Sequence, residues 1–171
     1  MLIQIYNKEH VKTNAYNTTD LKATINLADK DISFTMPLSS INVVENEGYI
    51  RTNKDEYVIK TVKPGKKDIA IEAVLNLENL QGKPWEKFSS VEKTIDDCIR
   101  LAIAGTGWTV VNSGLTKKRT IKKSGTDALE IIKQALKTYI CEVEFDSINK
   151  TIHFIEKRGT NKKDGFKSSL R

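Results

Sequence analysis

The stretch GTGWTV, residues 105–110, is the first place in the sequence where a recognisable loop could do chemistry. A glycine-rich loop that cradles phosphate follows a strand and opens a helix, and its best-known version ends in Gly-Lys followed by Ser or Thr. Here an amphipathic stretch precedes the glycines, a β-branched stretch follows them, and that ending is missing. The order therefore predicts that Gly105 ends a helix in a left-handed conformation and that Trp108 begins a strand and packs in the core.

Nucleophilic catalysis would need one of the two histidines, His10 or His153, beside a nucleophile. In the hairpin expected near the end of the sequence, His153 pairs about two positions away from Cys141 and alternates with Phe154. A strand histidine beside aromatic residues usually packs or faces solvent, so we do not expect a nucleophile pair. Two histidines and no CxxC spacing also argue against a zinc site.

The remaining titratable candidates are an acidic pair and two cysteines. Asp96 and Asp97 occupy adjacent helical positions that point about 100° apart, which is typical of a solvated face and not of an acid–base couple. Cys98 and Cys141 fall in apolar patterns, so we expect buried thiols made in a reducing cytoplasm. The sequence therefore predicts no catalytic, cofactor-binding or metal-binding residues, no cofactor, and a protein that is not an enzyme.

The run KKRTIKK, residues 117–123, is the strongest local concentration of charge. Such a run could neutralise the phosphates of a nucleic acid, with Trp108 or Tyr139 available for base stacking. It could equally lie on an exposed edge strand, where lysines discourage pairing with other sheets, or contact another protein. Aromatic residues do not interleave with the run, so edge protection or a protein contact is favoured, and a basic nucleic-acid-binding module is the alternative.

Composition places the chain among ordinary globular proteins, with 171 residues, 39% hydrophobic and 29% charged. No apolar run approaches the roughly 18 residues of a membrane span, and the first residues lack the plan of a signal peptide. The net charge of +6 is unevenly distributed along the chain. Residues 116–171 carry 14 Lys and Arg against 7 Asp and Glu, a net charge of +7, whereas residues 1–115 carry 14 against 15, a net charge of −1. This asymmetry suggests two units with different surroundings.

The first half of the chain is predicted to be a meander of short antiparallel strands. Apolar and polar residues alternate there, and the intervening NAYNTTD, ADKD and ENEG are typical of turns. The predicted strands are 2–6, 21–28, 31–37, 49–53, 56–63 and 68–80.

The second half is predicted to be a small α+β unit with the order helix, strand, helix, strand, strand. Ser89 and Ser90 are expected to cap a helix over 91–104. Thr126 is expected to cap a second helix over 126–139. YICEVEFD and TIHFIEKR, joined by SINK, are typical of a hairpin. The fold class is therefore α+β, with an antiparallel β domain followed by a small α+β domain.

The order of these pieces resembles a known family. The carrying stretches are EYVIKTVKPGKKDIAIEAVLNLENL, IAGTGWTV, ALEIIKQALKTY and CEVEFDSINKTIHFIEKRG. Together they resemble the N-terminal region of tailed-phage minor structural proteins, the tail-hub or tail-associated lysin family that includes the prophage tail endopeptidases. The hairpin motif of that family is matched by Glu142, Phe145, Asp146, Lys150, Ile152, Lys157 and Gly159.

The resemblance implies a structural part of the virion tail tip, made in the cytoplasm of the bacterial host. It implies a homotrimeric ring that lies below the hexameric distal tail protein, closes the tail tube and opens for DNA, with the tape-measure protein as a possible further partner. No membrane and no specific nucleic acid are expected as partners. The peptidase activity in the family name is not carried over to this chain, because no matching residues exist here.

The resemblance also implies a domain plan. Residues 1–77 would be the first part of a barrel-like hub domain, 78–157 an inserted α+β domain, and 158–171 a segment returning toward the first domain. The family continues past the hairpin, whereas this sequence stops at KSSLR. We therefore expect either a shortened chain or a barrel that a neighbouring molecule completes.

Overall fold

A computed structural model describes residues 1–157, so the predicted return segment 158–171 lies outside the described residues. The first half forms seven strands because apolar and polar residues alternate along it. In the last of them Ile69, Ile71, Ala73 and Leu75 are buried, as the alternation predicts. The strands are β1 (Leu2–Tyr6), β2 (Lys12–Asn17), β3 (Lys22–Asn26), β4 (Asp29–Pro37), β5 (Tyr49–Arg51), β6 (Glu56–Pro64) and β7 (Asp68–Leu75), with a 3-10 turn at Leu38–Val43.

These strands form one antiparallel sheet, which we call the curled sheet, in the order β2-β1-β5-β6-β7-β4-β3. Its two edge strands, β2 and β3, are joined only by residues 18–21. Six spacings of ~4.8 Å would separate the edges of a flat sheet by ~29 Å. The chain from Asn17 to Lys22 spans at most ~18 Å. The sheet must therefore curl strongly, but β2 and β3 do not pair, and the described residues form no closed barrel.

The second half, residues 78–157, contains three helices and two small sheets, and we call it the α+β half. Strands β8 and β10 pair as a two-stranded antiparallel ribbon, and β11, β12 and β9 form a three-stranded sheet in which β9 runs parallel to β12. The elements are α1 (Glu78–Gln81), β8 (Pro84–Lys93), α2 (Ile95–Ala102), β9 (Thr109–Val110), β10 (Arg119–Asp127), α3 (Ala128–Tyr139), β11 (Cys141–Asp146) and β12 (Thr151–Glu156).

The predicted start of the first long helix is wrong. Ser89 and Ser90 lie in β8, where Ser90 is buried opposite Ile121 of β10, and the helix begins after Thr94. The Thr94 hydroxyl accepts a hydrogen bond from the backbone N–H of Asp97, so it supplies the cap that the sequence assigned to the serines. The second helix is confirmed, but its cap is Asp127 and not Thr126, because the Asp127 carboxylate accepts from the N–H of Glu130.

Two predictions in the first half are also wrong. Residues 14–17, the first part of the predicted turn NAYNTTD, lie in β2, because pairing with β1 supplies the backbone partners that local sequence does not reveal. The predicted strand 68–80 ends at Leu75. Asn76 then donates from its backbone and side chain to Glu56, and Leu77 and Leu80 turn into the core beside α1.

One continuous set of buried apolar side chains connects the two halves. It runs from Ile3 and Ile59 in the curled sheet through Leu80 to Ile132 of α3 and Phe154 of β12. The architecture is α+β, as predicted, and the change from sheet to helices falls at residues 76–78. The division into domains 1–77 and 78–157 stays a prediction. Among the described residues, no helix has the length and apolar character needed to cross a bilayer.

Candidate interaction surfaces

The residues that could support catalysis lie in unrelated surroundings. His153 is exposed on β12 opposite Glu144, three positions from the partner of Cys141 and not two, while Cys141 is buried. Burial, with the nearby Asp96 and Glu142 carboxylates, raises the pKa of the Cys141 thiol to about 11. Burial also raises the pKa of Cys98. Both cysteines are buried free thiols, as predicted, and residues 1–157 contain no group of three or more side chains suited to a metal ion.

The acidic pair does not form the solvated face that the sequence predicted. Asp97 is exposed and forms an ion pair with Arg100 at 3.2 Å, but Asp96 is buried. One oxygen of Asp96 accepts a hydrogen bond from the backbone N–H of Ser113 at 2.9 Å, and the other has no partner among the described residues. The prediction failed for Asp96 because the loop before β10 folds over the first turn of α2.

Trp108 is a core residue, as predicted. It is 6% exposed and meets Phe145 of β11 edge to face, with ring centroids 5.8 Å apart. Gly105 and Gly107 have φ values of +83° and +82°, so the two glycines permit the left-handed turn that carries the chain from α2 into β9. The indole Nε1 has no hydrogen-bond partner within residues 1–157.

The strand β3 is the most exposed edge of the curled sheet. All five of its residues are exposed, and Ile25 is 69% exposed. A groove of about 240 Å³ separates this edge from β11, another edge strand. Its apolar lining comes from Ile25, Leu27, Ala28, Leu75, Val143 and Phe145. An exposed edge beside apolar side chains is suited to pairing with another chain.

The hairpin turn between β11 and β12, residues 147–150, attaches the α+β half to the curled sheet, and we call it the latch turn. The backbone N–H of Glu56 donates to the buried Ser147 hydroxyl at 2.6 Å. The N–H of Ile148 donates to the Lys54 carbonyl at 3.3 Å. Within the α+β half itself, Lys150 Nζ donates to Asn79 of α1 at 3.0 Å. The two halves are therefore connected by polar contacts here, in addition to their shared core.

The carboxylate of Glu56 lies beside the latch turn, in a cleft of about 350 Å³. Burial alone would raise its pKa, but hydrogen bonds from Arg51 and Asn76, and the charges of Arg51 and His10, outweigh that effect and lower the pKa. His10 stacks on Tyr49 with centroids 3.7 Å apart and approaches Glu56 at 3.7 Å. The network holds a buried negative charge at the junction of the two halves.

Residues 119–123 of the basic run lie on β10, and Lys117 and Lys118 precede it. One face of the β8–β10 ribbon is covered by α3. On that inner face Ile121 is buried, and Lys123 is half-buried with Nζ 3.6 Å from Glu130. Lys117, Lys118, Arg119 and Lys122 are exposed. Within residues 1–157 the ribbon has only two strands, so β10 has a free edge, as the edge-strand interpretation predicts.

Several of these features escaped sequence reasoning. The partner of the basic strand is β8, where the sequence predicted serine caps and the start of a helix. The contact between Ser147 and Glu56 spans 91 residues and has no local signal. In the structure Phe88 and Ser90 alternate with exposed residues, as in a strand with one covered face, whereas the serines were interpreted from the sequence as helix caps.

Comparisons with known proteins agree with this fold. Residues 84–154 match the model of the prophage endopeptidase tail domain. No curated protein sequence matches the chain. The crystal structure of prophage tail protein gp18 from Listeria monocytogenes is similar, with a TM-score of 0.66 at 17% identity, over 91% of this chain and 51% of that one.

Two further crystal structures are similar. A tail protein of Neisseria meningitidis has a TM-score of 0.60 at 8% identity, over 89% of this chain and 49% of that one. The 43 kDa tail protein of prophage MuSo2 from Shewanella oneidensis has a TM-score of 0.53 at 10% identity, over 90% and 52%. The chain spans about half the length of each. The resemblance to the N-terminal region of prophage tail proteins is thus confirmed: residues 84–154 match a prophage tail domain, and the chain has the fold of phage and prophage tail proteins.

Proposed function

We propose that the chain is a structural subunit of a phage tail tip, where it forms a hub ring below the distal tail protein and closes the tail tube. The observation that carries the proposal is the similarity to prophage tail proteins over nine-tenths of the chain. The family description names an endopeptidase. We propose a structural and not a catalytic role, because the matching hairpin residues include no nucleophile with a base beside it.

The free edges of the curled sheet support a role in assembly. Unpaired backbone N–H and C=O groups on β2 and β3 favour pairing with another chain, and a ring requires a contact between two different surfaces of neighbouring copies. The proposed assembly is a homotrimer that binds the distal tail protein, with the tape-measure protein as a further neighbour. The exposed Ile25 on β3 provides an apolar contact for such an interface.

The test is the mass of the full chain in solution, alone and mixed with a distal tail protein from the same genome. We expect a trimer, and a complex with the tail protein, by light scattering coupled to size exclusion. Ile25→Lys should reduce the mass toward the monomer because it places a charge on the proposed edge. The matched control is Val91→Lys, which introduces the same charge at a 54% exposed position on the ribbon.

The outcome that would overturn the proposal is a wild-type chain that stays monomeric at high concentration and has no affinity for the tail protein. A trimer that Ile25→Lys leaves intact would retain the hub role but exclude β3 from the interface. Genes for a tape-measure protein and a distal tail protein immediately upstream would support the same role independently.

A further inference from the structure

We propose that the outer face of the β8–β10 ribbon binds the phosphate backbone of duplex nucleic acid without reading its sequence. This inference does not depend on the hub role. It starts from the register of the ribbon, in which Lys87 lies opposite Ser124 and Ser89 lies opposite Lys122. All four residues are exposed, and the pairs that alternate with them, including Ser90 and Ile121, face inward. The outer face therefore presents alternating ammonium and hydroxyl groups.

The two strands of the ribbon carry five Lys and Arg against three Asp and Glu, so the ribbon has a net positive charge. Lys87, Lys93, Lys122 and Arg119 form no ion pair with a carboxylate of residues 1–157. Lys93 also lies directly opposite Arg119 in the ladder. Like charges placed opposite each other across two strands destabilise the pairing. A bound anion would relieve that repulsion, so the charge pattern favours an anionic partner.

The residue types favour phosphate over an acidic protein surface. Lysine and serine are depleted at the centres of protein–protein interfaces, which are enriched in aromatic residues, methionine and arginine. The same two side chains, lysine and serine, are common donors to phosphate oxygens in protein–DNA contacts. The four central positions of the outer face contain nothing else. The surface therefore resembles a backbone-contacting surface and not a protein-binding patch.

The burial of Trp108 and Tyr139 favours a duplex over a single strand. Binding of single strands relies on aromatic side chains on which bases stack. Trp108 and Tyr139, the two aromatic residues that the sequence offered for stacking, are each only 6% exposed. A two-stranded β-ribbon, by contrast, fits the major groove of duplex DNA. Contacts restricted to phosphates carry no sequence information, which agrees with the lack of a recognition motif.

The test measures binding of the full chain to two short fluorescent duplexes of unrelated sequence, by anisotropy over a range of salt. If Lys87 and Lys122 of the outer face each neutralise one phosphate, affinity should fall roughly 12-fold between about 50 and 200 mM salt, because log K falls by about 0.9 per cation for each unit of log salt. Both duplexes should bind equally. The variant Lys87→Gln/Lys122→Gln should lower the salt slope by about 2.

The matched control is Lys66→Gln/Lys67→Gln, which removes the same charge from the exposed turn before β7. This control variant also keeps all five Lys and Arg residues of the segment 158–171. We expect the control to keep the wild-type slope. Melting curves of both double variants should match wild type, because all four substituted lysines are exposed. In the binding measurement, the single variant Lys122→Gln should lower the salt slope by about 1.

Three results would overturn the proposal. The first is no binding at low salt. The second is an equal loss in the ribbon variant and its control, which would show that net charge alone is responsible. The third is competition by polyglutamate as effective, charge for charge, as competition by unlabelled duplex, which would assign the face to an acidic protein.

Discussion

The curled sheet and the α+β half bury their side chains in different ways. In the sheet, burial is concentrated in the central strands, and the edge strand β3 contributes no buried residue. In the α+β half, burial is concentrated in helices: seven of the twelve residues of α3 are buried, as are five of the eight residues of α2. The helices cover their own sheets, whereas the edges of the curled sheet have no cover within residues 1–157. The α+β half is therefore packed mainly by its own helices, and the free edges used in the proposed assembly belong to the sheet.

Charge separates the two regions as well. Residues 1–77 contain 10 Lys and Arg and 10 Asp and Glu, so the curled sheet has no net charge. Residues 78–157 contain 13 against 11, and the excess is concentrated on the ribbon. A region of no net charge with free sheet edges suits contacts between protein subunits, while a basic face suits an anionic partner.

The largest expected effect is a loss of stability when a side chain is removed from the core of the α+β half. Trp108→Ala should lower the free energy of unfolding by about 3–5 kcal/mol, because it removes a buried indole that packs on Phe145. Chemical denaturation followed by circular dichroism measures the change. Trp108→Phe is the control and should lose less, since it keeps an aromatic ring against Phe145. An unchanged melting temperature, together with a lost binding activity, would make Trp108 a ligand platform instead of a core residue.

The next largest effect is a loss of stability when a hydrogen bond at the junction between the two regions is removed. Ser147→Ala should cost about 1–3 kcal/mol, because it leaves the buried N–H of Glu56 without an acceptor. Ser89→Ala, at an exposed position on the ribbon, is the matched control and should change little. Hydrogen exchange of the Glu56 amide should accelerate in the junction variant only. Equal stabilities for the two variants would mean that the shared apolar core alone connects the halves.

A smaller effect should appear in the pH dependence of stability. Because the folded protein lowers the pKa of Glu56, this group stabilises the fold above its unfolded pKa, and the contribution is lost as pH falls through the folded pKa. Stability should therefore decline as pH falls below about 4.5, the ordinary pKa of the group. Asp20, Glu130 and Asp146, whose pKa values are also lowered, add to the decline.

Replacing the carboxyl separates the contribution of Glu56 from the others. Glu56→Gln should flatten the curve of unfolding free energy against pH, while Glu9→Gln, at an exposed position in the turn after β1, should leave its slope unchanged. Denaturant titrations at several pH values measure both. A curve of wild-type shape in Glu56→Gln would show that the Arg51 and Asn76 contacts do not stabilise the ionised form.

Sequence reasoning succeeded where a local pattern decides the structure. The alternation of Ile69, Ile71 and Ala73 and the left-handed Gly105 followed from the side-chain period and from backbone sterics. The closing hairpin was found in the same way. Prediction from the sequence failed where a strand that is distant along the chain determines the local structure. Residues 12–17 are strand because β1 pairs with them, and Ser90 is buried because Ile121 lies opposite it. The β8 half of the basic face was missed for the same reason, so only half of that surface could be predicted.

The smallest expected effect concerns the basic run itself. Exchanging Lys117, Lys118, Lys122 and Lys123 for Gln should change the free energy of unfolding by no more than about 0.5 kcal/mol, since surface charges contribute little to stability. Any loss should come from Lys123, which is half-buried and paired with Glu130. Removing the repulsion among the other three should offset part of it. Denaturation of the fourfold variant beside Lys123→Gln alone measures the difference. If the fourfold variant is much less stable than the single one, the exposed lysines belong to the packed structure of the α+β half and not to a surface available for partners.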